Sequence, residues 1–335
     1  MKQYERARRV GLASIALALV LRLCMMDVPE RIAAFLTRPD IAAFLIYLET
    51  GRDVRFSPSL GVYSPDFAES APAAALTPEI PPVPSFSGEE EVELYYAANK
   101  NPDIPGLLSK ELRWSLYGQA PTVLILHTHS TESYTKKEEV YEETSSWRTR
   151  DENYNMLSIG AAVAQLLNEA GIPTVQDREV HDYPSYNGSY VDARKAIGEK
   201  LEQYPSIRLV LDLHRDASGG EGGQLRTLAA VDGEASAQLM VVVGTNHKGY
   251  EENLSLGLKL HVLLEGYYSG IMRPLQLRAQ RFNQDLSPGA LLIEVGAAGN
   301  SHPEAMLAAE KLAQAVIALA QGTGQEENQQ PFPKK

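Results

Sequence analysis

The chain has 335 residues, 44% of them hydrophobic and 22% charged. That balance excludes wholesale disorder and leaves room for two domains, or for one large domain with flanking segments. Lys and Arg number 31 against 43 Asp and Glu, a formal charge of −12, which argues against a nucleic-acid groove because phosphate binding needs clustered cations. The single cysteine, Cys24, excludes an intramolecular disulfide framework and a thiolate zinc cluster, so any metal must be held by His and carboxylate.

At the start of the chain Lys2, Arg6, Arg8 and Arg9 precede an apolar run from Val10 to Met26 whose one charge is Arg22. No A-x-A-like cleavage signal follows, and Leu23 is too bulky for lipoprotein processing at Cys24. The run is a little short of the ~20 residues of a bilayer crossing, and its basic start would keep the N-terminus cytoplasmic with the rest outside. Residues 1–27 are therefore expected to be a cytoplasmic basic end and a transmembrane anchor rather than a buried helix. Residues 28–54 read as membrane-proximal amphipathic helices broken at Pro39. Residues 55–95, rich in Pro, Ala and acid, read as a stalk that buries no core. A lead-in segment at 96–120 and a polar, disordered tail at 323–335 flank the compact domain, 121–322.

Within 121–322 nearly continuous apolar runs predict strands covered on both faces: Val123–His129, Pro173–Gln176, Arg208–His214, Leu239–Gly244 and Ala290–Gly296. Helices are predicted between them at Asn153–Ala170, Tyr190–Gln203, Glu251–Tyr268 and Pro303–Ala320. The first places Met156, Ile159, Val163, Leu166 and Leu167 on one face, with Gly171 as its C′ residue. The alternation predicts an α/β fold: one three-layer domain with a mostly parallel, twisted sheet flanked by helices. The chain carries no Gly-rich phosphate loop and no G-x-S-x-G elbow, so nucleotide and serine-hydrolase readings lack their main feature.

Three strands end in polar residues that an apolar strand would not otherwise choose: His127-Thr128-His129-Ser130-Thr131-Glu132, Asp212-Leu213-His214-Arg215-Asp216 and Ile293-Glu294-Val295-Gly296. In such a sheet, functional groups gather at strand carboxyl ends. Alternation puts His127 with His129, and Asp212 with His214, on common faces. His129-x-x-Glu132 allows both side chains to reach one ion, and His214 would complete two His and a carboxylate with a position left open for water, a catalytic zinc arrangement. Glu294 suits a general base that later protonates a leaving amine. Each histidine alone is more often a structural residue. His181 reads as a loop histidine, and His247, His261 and His302 read as solvated. Tyr183, Tyr186 and Tyr190 form either a sugar- or peptide-binding wall or the half-buried tyrosines of a loop.

On VLILHTHSTESY (123–134), LVLDLHRDA (209–217), VVVGTNHKGYEEN (241–253) and RFNQDLSPGALLIEVGAAGN (281–300), the chain resembles the stage II sporulation protein P family of cell-wall amidases. The resemblance implies a zinc enzyme similar to N-acetylmuramoyl-L-alanine amidases, cleaving the muramic acid–L-alanine amide of peptidoglycan and its peptide cross-links during engulfment in sporulation. It also implies anchorage in the mother-cell membrane, exposure to the space facing the forespore, and work alongside the stage II sporulation proteins D and M. Carried onto this sequence, the zinc ligands are His129, Glu132 and His214, with His127 the alternative first ligand and Glu294 catalytic. Amidase relatives take their carboxylate from farther along, where this chain offers Glu143, Asp151 and Glu152. Arg215, Asn283 and Gln284 either grip the peptide or the oxyanion, or pack near the sheet end. The rival readings are a zinc carboxypeptidase of wall peptides and a non-catalytic peptidoglycan-binding scaffold.

Overall fold

The structure is a computed structural model that describes residues 86, 88–96, 100–112, 114–135, 147–220 and 223–324. The expected anchor, membrane-proximal helices, most of the stalk and the tail beyond 324 lie outside the described residues. Among the described residues no helix is long and apolar enough to cross a membrane.

In chain order the elements are β1 (Leu94–Tyr96), α1 (Ile104–Ser109), β2 (Val123–Leu126), α2 (Met156–Glu169), β3 (Thr174–Gln176), α3 (Ser189–Gln203) and β4 (Leu209–Asp216). Two small hairpins follow, β5 (Gly219–Gly220) with β6 (Gly223–Gln224) and β7 (Leu228–Val231) with β8 (Glu234–Ala237). The chain then forms β9 (Leu239–Gly244), α4 (Tyr250–Tyr267), β10 (Leu275–Arg278), β11 (Ala290–Ala297) and α5 (His302–Gly324). Seven strands make one sheet in the order β1-β10-β9-β11-β4-β2-β3. Every neighbouring pair is parallel except β11 with β9. The carboxyl ends of β2, β4 and β11 therefore share one edge of the sheet with the amino ends of β9 and β10.

The helices cover the two faces unequally. On one face Ile125, Leu211, Val241 and Ile293 pack with Ile159 and Val163 of α2, Leu254 and Leu258 of α4, and Leu312 and Val316 of α5. On the other, Leu124, Leu126 and Val210 meet Ala193 and Ile197 of α3, while Val242 and Leu292 are met by Phe282 from a loop. Burial of both faces explains the continuous apolar runs: every residue of β2 and of β9 is buried. Asn155 starts α2 by accepting the Leu157 amide at 2.9 Å. Gly171 follows α2 in a left-handed conformation at φ 78°, the C′ geometry a glycine tolerates without strain.

Four expectations need correction. The domain does not begin at 121: β1 pairs with β10, and the Leu107 carbonyl in α1 takes Lys259 Nζ at 2.9 Å and Ser255 Oγ at 2.7 Å from α4. The first predicted strand stops at Leu126 rather than His129, because Asp212 captures Thr128 through its amide at 2.8 Å and its hydroxyl at 2.6 Å and draws the chain out of the ladder. His261 is buried, not solvated, since α4 is covered nearly all round. His302 is half-buried and shares a 2.8 Å hydrogen bond with the Ser158 hydroxyl.

Candidate active site

The polar strand ends meet at the edge of the sheet, on the face that α3 leaves partly uncovered. Because β2 ends early, the two neighbouring histidines part company. His127 turns toward α2; its Nδ1 donates to the Leu213 carbonyl of β4 at 3.1 Å and its Nε2 accepts from the Gln176 amide of β3 at 3.0 Å. A Cβ on Gly160 of α2 would stand 2.3 Å from His127 Nε2. Both ring nitrogens of His127 are thus engaged within the protein. Burial pushes its pKa down to about 4, so the ring is neutral and can hold this donor–acceptor pair.

Within the Thr128–Thr131 turn the chain brings His129 to the opposite face. There His129, Glu132 and His214 each offer a ligand atom within 4.8 Å of the others, and all three are buried. His214 Nδ1 lies 3.6 Å from Glu132 Oε2, and its Nε2 lies 2.9 Å from Asp212 Oδ1. His129 Nδ1 is buried without a hydrogen-bond partner. Asp212 and His214 do share a face, as strand alternation predicts. Of the other carboxylates in the expected stretch, Asp151 and Glu152 are exposed, and Glu143 lies outside the described residues.

Electrostatics separate the roles of these groups. Burial pushes the Glu132 carboxyl up, yet Arg215, His214 and His129 override it and hold it at about 2. Burial likewise disfavours a charged His214, but Asp212 and Glu132 raise its pKa well above the ordinary value, so this point of the fold favours positive charge. Burial lowers His129 to about 4, leaving its ring neutral and able to donate a lone pair. Glu294 is the opposite case to Glu132. Burial, with Glu132 and Asp216 adding to it, raises its carboxyl to about 8, and its Oε2 has no hydrogen-bond partner.

The three expected gripping residues are spent inside the protein. Arg215 is buried; its Nε donates to the Ser133 carbonyl at 3.0 Å, its Nη2 to the Trp147 carbonyl at 3.0 Å, and its Nη1 stands 3.7 Å from Glu132 Oε1. Gln284 accepts the Gly244 amide at 2.7 Å and donates to the Val242 carbonyl at 2.8 Å. Asn283 donates to the Tyr190 carbonyl at 2.8 Å. The tyrosines divide. Tyr183 and Tyr186 are exposed, with the Arg150 and Arg148 guanidinium groups 4.7 and 4.3 Å from their ring centres. Tyr186 also stacks on His129 at 4.3 Å. His181 is a buried loop residue paired with Asp177 at 2.9 Å.

The sequence profile described as stage II sporulation protein P matches residues 84–317. The chain belongs to that family. Stage II sporulation protein P of Bacillus subtilis strain 168 is 30% identical over 207 residues, 58% of this chain and 50% of that protein. The chain thus spans about half the length of this curated relative. Among solved structures, it is similar to an N-acetylmuramoyl-L-alanine amidase of Nostoc punctiforme at 15% identity and a TM-score of 0.37, over 63% of this chain and 100% of that one. It is also similar to the CwlD amidase of Clostridioides difficile, solved in complex with the GerS lipoprotein, at 14% identity and a TM-score of 0.35, over 62% of this chain and 97% of that one.

Proposed function

We propose that this member of the stage II sporulation protein P family is a zinc-dependent peptidoglycan hydrolase that cleaves the amide between N-acetylmuramic acid and L-alanine, and also peptide cross-links, during engulfment in sporulation. The observation that carries the reading is the buried His129–Glu132–His214 cluster beside the raised carboxyl of Glu294. The donor set fits zinc: two imidazoles and one carboxylate, a buried and unpartnered His129 Nδ1, and a fold position that attracts positive charge. His129, Glu132 and His214 would hold the ion. When bound, it supplies a Lewis acid that polarises the scissile carbonyl and lowers the pKa of water at the site.

The chain's own groups account for the proton movements. Glu294 takes a proton from the attacking water as the water oxygen bonds to the carbonyl carbon. The same carboxyl then gives that proton to the nitrogen as the C–N bond breaks, releasing the lactyl carboxylate and the alanine amine. Asp212 orients His214, and Arg215 fixes and neutralises Glu132 from behind. Under this reading the N-terminal run is a membrane anchor that puts the domain outside the cell membrane, in the space between mother cell and forespore. Peptidoglycan is the substrate, and sporulation proteins D and M of stage II are the expected partners.

Purified peptidoglycan digested with the protein, with and without a zinc chelator, tests the reading by mass spectrometry. Glycan freed of stem peptide, and only in the unchelated digest, is the expected result. Release of single C-terminal residues, or no release at all, would overturn it.

A further inference from the structure

Tyr190 stands in the first turn of α3, against both histidines of the cluster. Its ring meets His129 edge-on at 5.5 Å and lies parallel to His214, interplanar angle 14°, at 6.4 Å. Its hydroxyl makes no hydrogen bond among the described residues, although the residue is only half exposed.

The rest of the residue is held firmly. The Asn283 amide grips the Tyr190 carbonyl at 2.8 Å, and the Phe282 ring lies 5.9 Å from the Tyr190 ring. Phe282 and Asn283 both adopt left-handed backbone, at φ 51° and 57°, a conformation that is strained for non-glycine residues and persists where surroundings enforce it. Arg194, one turn further along α3, locks the same loop through a two-pronged contact with Asp285, 2.8 Å at each prong. Two elements are thus braced to fix one ring against the ligand cluster, with its hydroxyl committed to no described residue.

We infer that Tyr190 is a further catalytic residue, whose hydroxyl donates a hydrogen bond to the oxygen of the scissile carbonyl as that oxygen gains negative charge. This rests on the proposed amide hydrolysis at the same site. A phenol is neutral at neutral pH and has one proton to offer. A fixed donor aimed at developing charge strengthens in the transition state and leaves ground-state binding nearly unchanged.

Tyr190→Phe keeps the ring and its packing while removing only the hydroxyl. On purified peptidoglycan fragments, kcat is expected to fall by roughly 10²-fold with KM, zinc affinity by calorimetry and thermal midpoint all unchanged. A phosphinate analogue, with tetrahedral phosphorus in place of the scissile carbonyl, is expected to bind the variant more weakly by a similar factor. Wild-type kcat and phosphinate affinity in Tyr190→Phe, or a change confined to KM, would overturn the inference while wild-type cleavage leaves the hydrolase reading standing. Inactive wild-type protein would remove both.

Discussion

Glu294 and His214 are register partners on the adjacent parallel strands β11 and β4. Their side chains therefore leave the sheet on one face, and the backbone ladder fixes the distance between the proposed base and the proposed ligand. The two positions answer differently to substitution. Glu294→Gln removes the proton acceptor and none of the ligands. Muropeptide release should fall by about 10²–10⁴-fold, while zinc content by atomic absorption stays near one ion per chain. Zinc loss in this variant would show that Glu294 is itself a ligand.

Asp212 carries two tasks: it orients His214 and holds the Thr128 turn that delivers His129. Asp212→Asn keeps the shape and removes the charge facing His214 Nε2. Zinc affinity, titrated calorimetrically, is expected to drop by about 10–100-fold. The variant should regain cleavage at raised zinc concentration, an outcome that a purely structural defect would not produce.

Arg215 is the buried counter-charge of Glu132 and closes the Ser133 and Trp147 carbonyls. Arg215→Met fills similar space but removes the buried guanidinium, leaving Glu132 with Arg148 Nη2 at 3.5 Å and His214 Nδ1 at 3.6 Å. Breaking a buried pair from one side costs about 3–5 kcal/mol, which urea denaturation should register. The double variant Arg215→Met, Glu132→Gln should recover part of that stability and no activity.

Much of this architecture is written in the chain, and the omissions share a cause. VLIL, LMVVVG and ALLIEVG announce strands because both of their faces are buried, and the helices of 153–170 and 190–203 follow from apolar spacing, the first also from Gly171 at its end. β10 escapes because Leu275 and Leu277 alternate with half-exposed Gln276 and Arg278 over only four residues. β1 is three residues at an edge, defined by its partner β10 rather than by its own sequence. The split between His127 and His129 depends on the Asp212 side chain, 84 positions away in the chain from Thr128. Local periodicity therefore carries strand alternation past the point where it stops. Arg215, Asn283 and Gln284 were legible as special residues, but their donors face inward, and only the folded neighbours reveal that.

Gly160 separates packing at His127 from chemistry at His129. In a helix interior, Gly to Ala ordinarily stabilises by about 1 kcal/mol. Here the added methyl would stand 2.3 Å from His127 Nε2 and 2.6 Å from Gln176 Nε2, so the imidazole–amide pair has to separate. Gly160→Ala should lower the thermal midpoint instead of raising it, with zinc affinity little changed. A large loss of zinc affinity in a well-folded Gly160→Ala protein would restore His127 as a ligand.

Lys259 provides a pH test remote from the metal cluster. It is buried in α4, its Nζ donating to the Leu107 carbonyl at 2.9 Å and the Ser255 hydroxyl at 3.1 Å, with the Phe86 ring 5.4 Å away. Burial, aided by Lys110 and opposed by Glu90, lowers its pKa from 10.5 to about 8. The unfolded chain therefore binds this proton more tightly than the folded one. Between about pH 8 and 10.5 the unfolded state carries more protons, and stability contributed by this group rises with pH. Below pH 8 the folded protein bears the full cost of a buried ammonium. Lys259→Met removes the titration. Urea melts of both proteins at pH 7 and pH 9.5 should show the wild type gaining on the variant at the higher pH. A difference independent of pH would mean that Lys259 keeps an ordinary ammonium pKa in the fold.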